Sequence, residues 1–178
     1  MNELEIIRSQ LAVQQTHAAE VANACAAALG EATAPFREAC VGYLGWVLAQ
    51  FEERDQTLSE LLASPAAVAN GGMAASARHL AGLISRSGTS REALSRLETA
   101  LAAGESPAAR AAWREFARFF NSAWVPRRAA LEEALAEHLG MPDLRAVCAI
   151  DADSILDERS RFARVVAQLP DGVELRRP

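Results

Sequence analysis

Arg54 and Asp55 stand where a core residue is due. The segment around them carries an apolar stripe of Phe36, Cys40, Leu44, Val47, Phe51, Leu58 and Leu62, and the 3.6-residue helical period places both charged residues within it. A guanidinium at such a position presents a rigid fork of N–H donors that matches the oxygens of a carboxylate or phosphate. If this helix and the one before it form a hairpin turning near residues 32 and 33, facing residues have numbers that sum to about 65. Gln14, His17, Gln50, Arg54 and Asp55 then gather in one layer, flanked by Trp46 and Phe51. Buried polar groups need partners, so the layer is either a pocket for a small polar or anionic molecule or a salt-bridged edge whose stems reach solvent. His17, with Glu20 one turn away, is a boundary histidine or, alternatively, an acid/base group.

A second irregularity lies at Asn121-Ser122-Ala123-Trp124-Val125-Pro126-Arg127. A proline inside a helix removes one hydrogen bond and clashes with the carbonyl four residues back, here Ser122, at a cost of about 3 kcal/mol. The resulting kink brings Asn121, Trp124 and Arg127 into the candidate ligand-binding set. Arg110, Arg114 and Arg118 recur at i,i+4 and form a solvated face. Cys25 and Cys40 face each other in the hairpin register, as small core thiols or as a redox pair. The chain has no phosphate-binding glycine loop, nucleophile elbow or zinc spacing.

These side chains must be positioned by helices. Thirty-nine alanines in 178 residues favour helix over sheet, because alanine loses no side-chain entropy on helix formation. The first helix runs from about Leu4 to Leu29, and Thr33 with Pro35 supplies cap and first-turn proline for a second that reaches Ala63. Gly42 and Gly45 inside it suggest a close backbone approach. A third helical region starts near Met73, breaks at Ser87-Gly88-Thr89-Ser90 and resumes to Ala103; a fourth follows Ser106-Pro107 as far as Leu139. Gly140-Met141-Pro142-Asp143 starts a short helix, and Asp151 to Ser154 caps a last one, with Asp157 and Glu158 suited to the positive end of its dipole. The expected fold is all-α, an up-and-down four-helix bundle with one or two additional C-terminal helices, in a single domain over residues 1–170 followed by a frayed tail at 171–178.

Composition bounds the partners. A net charge of −5 gives no global attraction to nucleic acid or to acidic membrane surfaces. No apolar run approaches the roughly 20 residues of a spanning helix. All 18 basic residues are arginine, from coding bias or as a surface of anion-binding forks. Three cysteines without C-x-x-C spacing, behind an acidic amphipathic start, predict a cytoplasmic protein with reduced thiols.

With its helices placed, the chain resembles the hemerythrin-like bundles, through Phe51-Glu52-Glu53-Arg54-Asp55 on helix two, Arg78-His79-Leu80 on helix three and Asn121 on helix four, over residues 10 to 135. That resemblance implies a di-iron centre held by histidines and carboxylates, with His17 matching the first-helix histidine. The second-helix ligand pair would fall on Gln50 and Arg54, the third-helix pair on His79 and Leu83, and the fourth-helix histidine on Asn121. Arginine repels a metal ion, so the expectation is a degenerate site with neither metal nor other cofactor. Trp113 to Leu135, with Trp124-Val125-Pro126-Arg127, is also similar to the later helices of cytoplasmic chaperones that assemble molybdoenzymes.

Three functions follow. The first is a metal-free hemerythrin-like bundle binding a small polar or anionic ligand through Gln14, His17, Trp46, Gln50, Arg54, Asp55, Asn121, Trp124 and Arg127. The second is a non-enzymatic accessory protein that docks a protein partner, and the third a cofactor-independent enzyme using His17. A homodimer is compatible with each.

Overall fold

The computed structural model describes residues 3–28, 33–63, 78, 81–82, 85, 87–103, 106–118, 141–148 and 150–175. Among them the regular elements are helical and no strand occurs. Helix α1 spans Glu3–Ala27, α2 Ala34–Leu62, α3 Ser87–Ala102, α4 residues 107–118, α5 Met141–Cys148 and α6 Ala152–Ala167.

The caps explain where several of these helices begin. Thr33, in an extended conformation, accepts the Phe36 N–H on its hydroxyl, and Pro35 occupies the first turn, where a missing N–H costs nothing. Ser106 accepts the Ala109 N–H and starts α4 in the same way. Asp151 and Ser154 exchange hydrogen bonds in a capping box at the head of α6. One expectation changes. Residues 87–90, expected as a break, form the first turn of α3, where Ser and Thr are well tolerated. After α6, Val173 and Leu175 pack against the core, the Val173 N–H bonding to the Pro170 carbonyl.

Helix α2 is the central element, touching α1, α3, α5 and α6, while α6 also crosses α1. The alanine-rich face of α1 (Ala18, Val21, Ala22, Cys25) lies against Phe36, Cys40, Tyr43, Leu44 and Val47 of α2, all of them essentially inaccessible. Small residues on one side and large ones on the other let the backbones approach while filling the interior. Trp113 is fully buried, and its indole N–H donates to the Ala22 carbonyl at 3.1 Å, fastening α4 to α1. Arg110, Arg114 and Arg118 are exposed.

Among the described residues the glycines of α2 do not mark a tight backbone crossing. A Cβ on Gly45 would sit 3.5 Å from Leu94 of α3, an ordinary van der Waals contact, and one on Gly42 would have none of the described residues within 4 Å. Gly42→Ala is therefore expected to raise stability by about 0.5–1 kcal/mol through the lost backbone entropy of the unfolded chain. An unchanged or lowered midpoint in urea denaturation would show an unseen cost at that position.

Candidate functional site

Two polar groups lie inside the helices, and the hairpin register brings the first together. Gln14 of α1 and Arg54 of α2, each 6% exposed, meet across the hairpin, with Arg54 Nη1 donating to Gln14 Oε1 at 2.8 Å. Arg54 Nε donates to the Cys148 carbonyl at 3.3 Å. That carbonyl is at the carboxyl end of α5, where the helix dipole is negative and its last carbonyls lack helical partners. The guanidinium lies 5.3 Å from the Phe51 ring centroid. Burial pulls its pKa down, while the nearby Cys148, Glu53 and Asp55 push the other way; arginine remains a cation in such surroundings. Its side-chain hydrogen bonds thus go to two neutral oxygens.

The second group centres on Glu158 of α6. His17 Nδ1 lies 2.8 Å from Glu158 Oε1, and the Tyr43 hydroxyl donates to the same oxygen at 2.7 Å. The His17 ring stacks on Phe162 at 3.7 Å and 8°, which fixes its orientation. Burial, followed by the charge of Glu158 and its hydrogen bond, pushes the Tyr43 hydroxyl well above the ordinary phenol range. Tyr43 is therefore a donor at every physiological pH, and Glu158 is held by hydrogen bonds to two different helices, α1 and α2.

Between the two groups lies a small cavity of about 20 Å³, walled by Gln10 and Gln14 of α1, Trp46, Gln50 and Arg54 of α2, Ile150, and Ser154, Ile155 and Glu158 of α6. That is room for about one water molecule. Three glutamine amides, a hydroxyl, a guanidinium, a carboxylate and the face of an indole make a lining suited to a small polar solute. Arg161 covers Trp46, its guanidinium carbon 5.5 Å from the ring centroid, and is itself held by Asp157 at 2.9 Å.

Of the residues expected in the layer, Gln14, Trp46, Gln50 and Arg54 line this cavity. His17 is buried beside it and engaged with Glu158. Asp55 is 8% exposed, and its carbonyl accepts the Ser59 hydroxyl at 2.8 Å; it does not line the cavity. Asn121, Trp124 and Arg127 lie outside the described residues, as do His79 and Leu83. Tyr43 and Glu158 were missed. For Glu158 the signal was present: Ile155, Glu158, Phe162, Val165 and Leu169 step by three and four along one face, so Glu158 interrupts an apolar stripe as Arg54 does.

Cys25 and Cys40 are adjacent and completely buried, in the expected register. Hydrogen bonding between them, then burial, pushes the Cys40 thiol far above its usual range. The Cys148 thiol is pushed up to about 11 by burial, against the pull of Arg54. Among the described residues no three His, Cys, Asp or Glu side chains converge in a way that could hold a metal ion, and none of the helices is long and apolar enough to cross a membrane. Comparison with known proteins gives no match: no family model, no curated protein and no solved structure is similar to this chain.

Proposed function

We propose that the chain is a metal-free, hemerythrin-like up-and-down bundle of the cytoplasm that binds a small anion, a carboxylate in the first instance, in the polar layer at Arg54. The observation that carries this is that the hydrogen bonds of a buried guanidinium go, among the described residues, to two neutral oxygens, while Glu53 and Asp55 act on it as nearby charges. A buried charge is stable when it is matched by opposite charge and hydrogen bonds. The Gln14 amide oxygen accepts from the Nη1/Nη2 edge and the Cys148 carbonyl from the Nε/Nη2 edge, and each edge is a fork that can pair with the two oxygens of a carboxylate. The bound anion displaces the Cys148 carbonyl and takes the Nε/Nη2 edge, with Gln50 and Gln10 supplying amide donors and Trp46 a flat wall. No metal enters this proposal, since the guanidinium would repel a cation in the same layer.

His17 serves the layer by holding Glu158 and does no acid/base chemistry, because its ring is engaged on Phe162 and Glu158 and does not face the cavity. An accessory role that docks a protein partner gains support from a different feature, a groove of about 440 Å³ between α2 and α3 with Ala34, Val41, Gly42 and Ala102 on its walls beside the charged Arg37, Glu38 and Glu98.

Native mass spectrometry of the protein purified from its own host tests the anion reading. A small acid is expected to be retained by the wild type and lost from Arg54→Met and Arg54→Lys. Methionine keeps the packing of the stem but strands Gln14 Oε1 and the Cys148 carbonyl, at about 1–3 kcal/mol. Lysine keeps the charge but loses the fork. Equal retention of the acid by all three proteins would place its site elsewhere.

A further inference from the structure

The cavity beside Arg54 opens to solvent between half-buried side chains, and its interior admits about one water molecule, so a larger solute that is to reach the guanidinium needs a wall to move. Its walls are of two kinds. Gln10, Gln14, Trp46, Gln50 and Arg54 belong to the α1–α2 hairpin, whereas Ile150, Ser154, Ile155 and Glu158 belong to the start of α6 and the residues just before it. The half of the hairpin nearer its turn is packed by buried residues, Ala18 to Ala28 against Phe36 to Phe51, and the Gln14–Arg54 bond joins its helices beyond that. On the α6 side Ile150, Ser154 and Ile155 are half-buried and Glu158 is buried.

Helix α6 is anchored unequally along its length. Its carboxyl half buries Phe162 and Val165, and Val166, Leu169, Val173 and Leu175 pack on the same core. In its amino half, Ala152, Asp153 and Leu156 are exposed, Leu156 by 61%, while Ser154 and Ile155 are half-buried. The first buried residue along the helix is Glu158, and its hold is polar: the bonds to His17 and Tyr43. The residues ahead of the helix are held by the burial of Val147 and Cys148 at the end of α5 and by the long bond from Arg54 Nε to the Cys148 carbonyl. The capping box at Asp151 and Ser154 keeps the first turn helical, so this half moves as a unit and does not fray residue by residue.

We propose that the amino half of α6, residues 152–158, is a lid over the polar layer, latched by the Glu158 bonds to His17 and Tyr43 and hinged on the apolar anchor that begins at Phe162. Hydrogen bonds of this kind are lost within a small displacement, whereas the apolar anchor tolerates a tilt. An anion arriving at Arg54 takes the fork from the Cys148 carbonyl and so weakens the hold on the residues ahead of the helix. The ligand thereby opens its own route, which rests on the reading of the layer as an anion site.

Hydrogen exchange on the full chain without ligand tests the lid separately from the ligand. Tyr43→Phe deletes one latch bond and keeps the ring that packs on Trp46 and Phe162. It is expected to speed amide exchange in residues 152–158 by about tenfold or more, the effect of losing one bond to a charged group, with exchange in 162–167 unchanged. Glu158→Gln, which keeps an acceptor for Tyr43, is expected to have a smaller effect of the same pattern. Equal acceleration through both halves of α6, or none in 152–158, would overturn the lid. Acetate is then the probe for access: it is expected to bind Tyr43→Phe faster than wild type. An equal rate for the two would also overturn the lid, whereas acetate binding to neither protein would remove the anion reading and leave the exchange pattern to decide the lid.

Discussion

Trp113→Ala is expected to destabilise the protein by about 3–5 kcal/mol, the usual cost of deleting a large buried aromatic. The side chain is completely inaccessible, touches Phe116 with ring centroids 5.9 Å apart, and spends its N–H on the Ala22 carbonyl. Alanine leaves a cavity between α4 and α1 and removes the hydrogen bond that orients them. Ala22, which accepts the N–H, has no side-chain freedom with which to fill the space. Trp113→Phe separates the two losses, since it retains most of the volume and gives up the bond. Urea denaturation measures both. A cost for alanine under about 1 kcal/mol, well below the range for buried aromatics, would mean that α4 is not held to the hairpin through this residue.

Glu158→Ala is expected to cost about 3–5 kcal/mol as well, for a different reason. Removing one member of a buried polar group leaves the others desolvated and unpaired, which costs more than the group contributed while intact. Here the stranded donors are the Tyr43 hydroxyl, 1% exposed, and the His17 ring, 7% exposed. Pairing Glu158→Ala with Tyr43→Phe should recover part of the loss, because the second change removes a donor that no longer has an acceptor. A double-mutant cycle reports this as a coupling energy, expected at about 0.5–3 kcal/mol for groups in direct contact. Strict additivity would contradict the shared hydrogen-bond network.

The contrast between Arg54 and Glu158 shows what the sequence can convey. Arg54 was legible because its partner across the hairpin lies only 40 residues away, and the turn between their helices is announced by Thr33 and Pro35. A register follows from that turn, and with it the meeting of Gln14 with Arg54 and of Cys25 with Cys40. Glu158 interrupts its stripe in the same way, yet its partners His17 and Tyr43 lie 141 and 115 residues away. No spacing along the chain states where α6 docks; that depends on shape fitting between α6 and a finished hairpin. Glu158 therefore looked like a residue placed for the helix dipole. Gly42 misled for the opposite reason, since a glycine inside a helix suggests a close neighbour, and here none of the described residues comes near.

The central claim concerns one guanidinium, and nuclear magnetic resonance can observe it directly. The Arg54 Nε–H, bonded to the Cys148 carbonyl, should give a resolved, slowly exchanging resonance because the residue is only 6% exposed. Titration with acetate, at constant ionic strength made up with chloride, is expected to shift that resonance saturably together with the Gln14 side-chain amide, and to leave the exposed arginines of α4 unmoved. An Arg54 resonance that stays in place while exposed arginines respond would contradict an anion site in the polar layer.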